Sequence, residues 1–266
     1  MTCHVVFLLG QRPSATSVLP EVAERLRRAG ATVSTWVHEA GSPTPDQLPT
    51  AGVVALRGLD PLGLLAAGRL EARGARCCNS AAATAVASDK GRVHVALAAA
   101  GVPVPAATIA STWAEVVEAG ELGPVAVKAI DGRGGVGVVL ASRHRLPTST
   151  PFPGPYLVQE RLAHPGLDRK VFVIGDHVRG VLRPWPPSAP GDKQGQAFAP
   201  TAEEVALATR VGSTLGLEVY GVDLVPTAAG PVVVDVNPFP GFKGVEGAAP
   251  ALAAHLLARA HDEATP

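Results

Sequence analysis

Val233-Val234-Asp235-Val236-Asn237-Pro238-Phe239-Pro240-Gly241 decides how this chain is read. Three valines around a single Asp read as a buried β-strand, and Pro238 followed by Pro240-Gly241 ends it in a sharp turn. Side chains two apart on a strand share a face. Asp235 and Asn237 therefore project together, while Val234 and Val236 are expected on the opposite, apolar face. Two hard oxygen donors side by side suit a Mg²⁺ ion, which prefers carboxylate, carbonyl and phosphate oxygens. In isolation the pair serves equally well as a strand end capping a turn, so the rest of the chain has to choose.

The segment just upstream offers a third oxygen. Tyr220-Gly221-Val222-Asp223-Leu224 is another apolar strand, and antiparallel pairing with the first would bring Asp223 to Asp235 and Asn237. Further back, Asp131-Gly132-Arg133-Gly134-Gly135-Val136-Gly137 lies between the strand-like runs 125–130 and 136–141. Glycines let backbone N–H groups approach phosphate oxygens, although a glycine hairpin alone is as readily a plain turn. No Gly-Lys-Ser/Thr follows, so it is not a Walker loop. Lys128, set in Val125-Ala126-Val127, is a costly residue for an apolar strand unless it meets an anion. Lys90, in Ser88-Asp89-Lys90, is a second cation, or simply a solvated residue opening a helix.

Around these motifs the chain divides in two. From Val5 to Cys78 strands alternate with helices, as in a small open parallel sheet. Gly10-Gln11-Arg12-Pro13 after the first strand is no dinucleotide fingerprint. From Ser88 onward strands follow one another as in hairpins, with helices opened by the capping boxes Thr112/Glu115 and Thr201/Glu204, an α+β pattern. Strands are expected over 171–174 and 178–182, with Asp168-Arg169-Lys170 just before the first and Arg183 at the end of the second. The expected division is an N-terminal α/β domain over residues 1–87 and a two-lobed domain over 88–266.

Composition sets outer bounds. The 266 residues are 47% hydrophobic and 17% charged, with 23 basic side chains balancing 23 acidic ones. A neutral chain gives no electrostatic case for nucleic-acid or membrane partners. Cys3, Cys77 and Cys78 have neither zinc spacing nor an unstrained pairing, which suits reduced thiols and a cytoplasmic location. The histidines show no metal spacing; His164 and His177 fall closest to the expected site, and surface histidines are common.

The order Asp89-Lys90, Lys128 with Gly134-Gly135-x-Gly137, Gln159-Glu160, Lys170-Val171-Phe172-Val173, Gly221-Val222-Asp223 and Asp235-Val236-Asn237-Pro238 resembles the ATP-grasp superfamily over about residues 80–262. The resemblance implies an ATP-grasp fold preceded by a small parallel α/β domain, with ATP between two lobes. It implies that Lys90 and Lys128 hold the α/β-phosphates and that the glycine loop closes over them. Gln159, Glu160 and Leu162 would meet adenine, and Asp168 would reach ribose. Asp223, Asp235 and Asn237 would hold Mg²⁺, with Mn²⁺ an alternative ion. Asp235 stands where the family usually has Glu, a carboxylate one methylene shorter.

Two branches of the superfamily fit. Asn79-Ser80, Gly221-Val222-Asp223 and Pro240-Gly241-x-x-Gly244-Val245-Glu246 look like the glutamate ligase RimK and its amino-acid-ligase relatives. Lys170-Val171-Phe172-Val173-Ile174-Gly175 and Asn237-x-Phe239-Pro240-Gly241-Phe242 look more like the inositol trisphosphate 5/6-kinases. RimK-type enzymes usually carry Arg at the Lys170 position and an Arg/Asn/Gly-rich acceptor segment where this chain has Pro184-Trp185-Pro186-Pro187. A polyphosphorylated substrate would demand a basic pocket that a neutral chain does not advertise. The favoured expectation is therefore a ligase joining a small acid to an amine, amino acids or peptides among them, with Arg183 and Lys170 as catalytic residues and a homo-oligomer left open. A kinase is the alternative, and a nucleotide-binding protein without catalysis a further one.

Overall fold

Three sheets and seven helices organise the described part of the chain, residues 3–14, 16–38, 52–121, 123–132, 137–141, 145–185 and 189–261 of a computed structural model. The first sheet is parallel, with β1 (His4–Leu9), β2 (Thr32–Val37), β3 (Val53–Arg57) and β4 (Arg76–Cys78) in the order β2-β1-β3-β4. β1 and β3 are nearly continuous apolar runs because both of their faces are covered. Val5, Phe7 and Leu9 pack with α1 (Leu19–Arg28), whereas Val6, Leu8, Val54 and Leu56 pack with α2 (Pro61–Ala72).

A linking pair follows, α3 (Ala81–Ala87) capped by Ser80 and α4 (Lys90–Ala99) capped by Asp89. The second sheet is antiparallel, with β5 (Ala107–Ala110), β6 (Val125–Ala129), β7 (Val138–Ala141) and β8 (Tyr156–Glu160) in the order β5-β8-β6-β7, covered by α5 (Trp113–Glu121). The third sheet holds β9 (Leu167–Ile174), β10 (His177–Pro184), β11 (Gln196–Phe198), β12 (Val219–Thr227) and β13 (Gly230–Pro238) in the order β11-β10-β9-β12-β13. α6 (Ala202–Leu215) covers one face of it, with Thr201 and Glu204 forming the reciprocal cap and Gly216 ending the helix at φ +67°.

Alternation along the third sheet separates two environments. Val171, Val173, Tyr220, Val222, Leu224, Val233 and Val236 pack with α3, α4 and α6. The opposite face is apolar at one end only. There Phe172, Ile174, Val181, Val219, Phe239 and Phe242 join the core of the parallel sheet and α7 (Ala248–His261). The last helix thus returns to the first sheet, and Asn79, fully buried, binds the backbone of Glu218 and Val219 with its side-chain amide.

Several elements differ from the sequence expectations. β9 begins at Leu167, so Asp168, Arg169 and Lys170 lie within the strand. Their charges survive there because each is paired: Arg169 with Glu204 on α6, Lys170 with Asp223 across the sheet, and Asp168 with Lys170 and His164. Arg183 likewise sits inside β10, which runs to Pro184. Val234 does not join Val236 in the core: the register slips between Asp223 and Leu224, so Asp235 pairs with Asp223 while Val233 pairs with Leu224. This bulge leaves Val234 as the extra residue and puts Val233 in its place among the buried side chains.

A candidate phosphoryl-transfer site on the third sheet

The other end of that second face is polar. Asp168 and Lys170 on β9, Arg183 on β10, Asp223 on β12 and Asp235 with Asn237 on β13 share it because each is two residues, or one cross-strand step, from its neighbour. Lys170 faces Asp223 in the register of β9 and β12, and its ammonium donates to the Asp223 carboxylate. The same ammonium lies 3.4 Å from Asp168 Oδ2, while His164 Nε2 lies 3.1 Å from Asp168 Oδ1. Asn237 Nδ2 is 3.4 Å from Asp235 Oδ2.

Two more lysines reach this row from other elements. Lys90, at the start of α4, donates to Asp235 Oδ1 at 2.6 Å with only 15% of its side chain exposed, so it is not a solvated helix-opening residue. Its own backbone N–H is bound to the carbonyl of Ile130, just after β6. Lys128, on β6, donates to the carbonyl of Val234 at 2.6 Å. That carbonyl belongs to the bulged residue, so the irregularity in β13 supplies an acceptor for a buried cation.

The ionisation of these groups follows from burial set against their partners. Burial pushes the Asp235 carboxyl up, but Lys90 and Lys128 outweigh it and hold the group below the usual carboxylate range. Asp223 goes the other way: burial and the nearby Asp235 raise it despite Lys170. Burial lowers Lys128, with Lys90 adding to the effect. Lys170 is raised, because Asp223 and Asp168 overcome its burial. Arg183 is lowered by burial; its guanidinium lies over the Phe172 ring and donates from Nη2 to Lys243 O at 2.6 Å. Its buried Nε meets no acceptor among the described residues. An orphaned guanidinium donor beside a buried lysine held only by a backbone carbonyl points to an anionic ligand.

The donor set fits a hard divalent cation. Asp223 and Asp235 face each other across adjacent strands with Asn237 next along, three oxygen-bearing side chains whose carboxylates meet ammonium and amide hydrogens.

The nucleotide-side residues are more dispersed. Gln159 is 4% exposed and lines a cavity of about 20 Å³ with Lys90, His94, Leu157 and Asp235, space for about one water. Glu160 is exposed, and its N–H is already bound to Ala106 O, as is that of Arg161 to Pro124 O. Leu162 borders a cleft of about 450 Å³ with Ala163 and the Pro226-Thr227-Ala228 turn. Asp168 lies with the carboxylates and Lys170 instead of with these residues. Gly137 takes φ +75° and its carbonyl accepts from Ala129 N, where a Cβ would approach the Ala129 side chain to 2.8 Å. Gly134 and Gly135 lie outside the described residues. Sequence reasoning gave His164 little weight, and nothing in its spacing announced a contact with Asp168 four residues on in an extended chain. It also passed over Phe172 as a platform for Arg183.

Residues 87–259 match the RimK-like ATP-grasp domain. The chain belongs to that family. Its probable alpha-L-glutamate ligase 1 from Shewanella amazonensis is 32% identical over 197 residues, covering 68% of this chain and 65% of that protein. This chain thus matches slightly less than two thirds of that relative's length. The RimK domain protein ATP-grasp from Sphaerobacter thermophilus superposes with a TM-score of 0.71 at 24% identity, over 95% of this chain and 99% of that one. The ATP-grasp ligase PsnB, solved with its minimal precursor, Mg and ADP, superposes with a TM-score of 0.69 at 21% identity, over 96% and 97% of the two chains. Both likenesses place the three sheets in the ATP-grasp fold. No helix among the described residues is long and apolar enough to cross a membrane.

Proposed function

We propose that the protein is an ATP-dependent carboxylate–amine ligase acting on amino acids or peptides. The observation that carries this reading is the convergence of Lys90 and Lys128, from two separate elements, on the strand of Asp235, beside the row Asp168, Lys170, Arg183 and Asp223. Lysines and Arg183 together would neutralise a triphosphate, and Mg²⁺ or Mn²⁺ on Asp223, Asp235 and Asn237 would supply the further positive charge that phosphate oxygens need. Gln159, Glu160 and Leu162 would meet the base, with the glycine hairpin ending at Gly137 above the phosphates. Asp168, given its neighbours, serves the charge network of Lys170 at least as readily as a ribose.

The chemistry divides into two displacements. A substrate carboxylate oxygen attacks the γ-phosphorus and ADP leaves, giving an acylphosphate. An amine nitrogen then attacks the acyl carbon, phosphate leaves, and the amine proton is lost to the medium. The side chains act by position and charge, as in other phosphoryl transfers. Arg183 has the free donor to follow the transferring group, and Lys170 sits between two carboxylates from which it can turn toward it. The curated relative's name and the ligase neighbours support this branch over a kinase.

Hydroxylamine distinguishes the two, because it intercepts an acylphosphate as a hydroxamate and ignores a phosphate ester. With Mg-ATP, hydroxylamine and a panel of amino acids and short peptides as acids, hydroxamate is expected, falling at least ~100-fold in Arg183→Met and Asp235→Asn if each removes charge stabilisation of the transition state. ADP formation with a stable phosphorylated product and no hydroxamate would overturn the ligase.

A further inference from the structure

The parallel sheet carries a feature that the phosphoryl-transfer row does not use. Its strand order reverses at β1, with β2 on one side and β3 on the other. α1 and α2 cover opposite faces, so the chain leaves the ends of β1 and β3 in opposite directions. Ligands of open α/β sheets bind in the crevice that such a switch point opens beyond the strand ends. Here the crevice is bordered by Gly10 after β1 and Arg57 at the end of β3, joined by a hydrogen bond from Gly10 N to Arg57 O at 2.9 Å.

Arg57 is a half-buried cation with no carboxylate beside it among the described residues. Among the described residues its guanidinium makes a single, long hydrogen bond, from Nη1 to Ser17 Oγ at 3.4 Å. Burial lowers its pKa, with no neighbouring charge to compensate. Ser17 Oγ accepts from Leu19 N at 3.3 Å, so the hydroxyl stands at the first turn of α1, where the helix favours an anion. Arg57 Nη2 lies 3.3 Å from where a Cβ at Gly241 would stand. Gly241 closes the turn that leaves the Asp235–Asn237 strand, so this guanidinium borders the chain of the candidate site.

We infer that Arg57 and Ser17 bind the carboxylate of the amino-acid substrate that supplies the amine, an inference that rests on the ligase reading above. A guanidinium engages both oxygens of a carboxylate in parallel hydrogen bonds. A carboxylate so held has its lone pairs occupied and is a poor nucleophile toward phosphorus. The carboxylate at Arg57 is therefore the one that does not react. Arg57 fixes the amine substrate by its acid end, and selects amino acids over plain amines.

Ligand-observed NMR on the full chain, saturated with Mg²⁺ and a non-hydrolysable ATP analogue, tests this with L-glutamate, 4-aminobutyrate and the other common amino acids as probes. 4-Aminobutyrate retains the amine and side-chain carboxylate of glutamate and lacks the α-carboxylate. The wild type is expected to bind at least one amino acid, with 4-aminobutyrate bound at least tenfold more weakly than glutamate if glutamate is that ligand. Arg57→Met should weaken the bound amino acid about 10- to 100-fold, as loss of a charged hydrogen-bond pair does, with Arg57→Lys in between. The loss should fall on the amino acid and not on the nucleotide analogue, whose affinity reports folding. Equal amino-acid affinity in wild type and Arg57→Met, or a wild type that binds no amino acid, overturns the inference. Hydroxamate formation by the wild type, which needs no amino-acid amine, separates that failure from failure of the ligase reading.

Discussion

Replacing Lys128 with Met separates a residue kept for a ligand from one kept for the fold. The ammonium is buried between β6 and β13, and its pKa is depressed first by burial and then by Lys90, against the attraction of Asp235. Holding that charge therefore costs the resting protein stability. Removing it leaves the Val234 carbonyl without its donor, a cost of about 1–3 kcal/mol, and removes the desolvation cost at the same time. The two act in opposite directions, so the net change should stay within about 1–2 kcal/mol, or a Tm shift below about 6 °C for a chain of this size. Nucleotide binding has no such compensation. A charged hydrogen bond to phosphate contributes about 1.5–3 kcal/mol, so affinity should fall about 10- to 150-fold at about 1.4 kcal/mol per tenfold. Isothermal titration with a non-hydrolysable ATP analogue and Mg²⁺, paired with thermal unfolding, reads both. The pH dependence follows the same logic. Because the folded pKa lies below the unfolded one, the unfolded chain holds the proton more tightly, and stability rises with pH between the two values. Phosphate affinity needs the ammonium and falls as pH rises through the folded pKa. Lys128→Met should erase both slopes. Nucleotide affinity within threefold of wild type, or a large loss of stability, would refute the reasoning.

Two structural substitutions should behave in the opposite sense. Glu204→Ala removes the acceptor of Arg169 Nε and Nη2 and half of the α6 cap, costing about 2 kcal/mol or more, because the carboxylate is 6% exposed and its partner only 26%. The Glu204 carboxyl is held below its ordinary range by Arg169 and Thr201 against the effect of burial. Its contribution is thus present above the unfolded pKa and lost as pH falls through the folded one, and acid unfolding of the variant, followed by circular dichroism, should lack that component. Asn79→Ala strands the N–H groups of Glu218 and Val219, which its side-chain oxygen accepts at 2.7 and 2.9 Å, and leaves the Val219 carbonyl, bound by the amide at 2.8 Å, with the Phe239 N–H alone. A loss of about 3 kcal/mol or more is expected in denaturant titration, and an unchanged midpoint would show that the backbone there finds other partners.

What could be read in the sequence was whatever obeys a period or a cap. Asp235 and Asn237 were legible because strand alternation places them together, and Asp223 because an antiparallel partner was the simplest pairing for two adjacent apolar runs. The helices opened by Thr201/Glu204 and Thr112/Glu115 were legible from their caps. The bulge at Val234 was not, because it belongs to the register between two strands and not to either one. The charged start of β9 reads as loop for a related reason. Asp168, Arg169 and Lys170 become strand residues only when Glu204, Asp223 and His164 are present to satisfy them, and those partners are remote or locally unpatterned. α3 went unread because Ala81-Ala82-Ala83-Thr84-Ala85-Val86-Ala87 has no contrast between faces, and β11 because three residues on a sheet edge carry no period. Lys90 showed its meaning only through Asp235, 145 residues away.

The resting charge balance of the third sheet explains how so many ionisable groups can share one half-buried surface. Lys170 is matched with Asp223 and Asp168, and Lys90 with Asp235, so most charges there already have an opposite within contact. Buried pairs of this kind contribute little net stability, because desolvation of both partners consumes the attraction between them. They are therefore cheap to exchange. On the proposed reading, phosphate oxygens take the place of carboxylates beside the lysines while a divalent ion takes the place of lysines beside the carboxylates, and the number of opposite-charge contacts is kept or increased. Binding then costs no unpaired buried charge at any stage. Among the described residues, Lys128 meets only the Val234 carbonyl and the Nε of Arg183 meets no acceptor, both at the polar end of the sheet, and the guanidinium of Arg57, at the switch point of the parallel sheet, meets only Ser17. Those unmatched donors are where a substrate adds contacts that the resting protein cannot make for itself, and interactions absent at rest are the ones available to position and select a substrate.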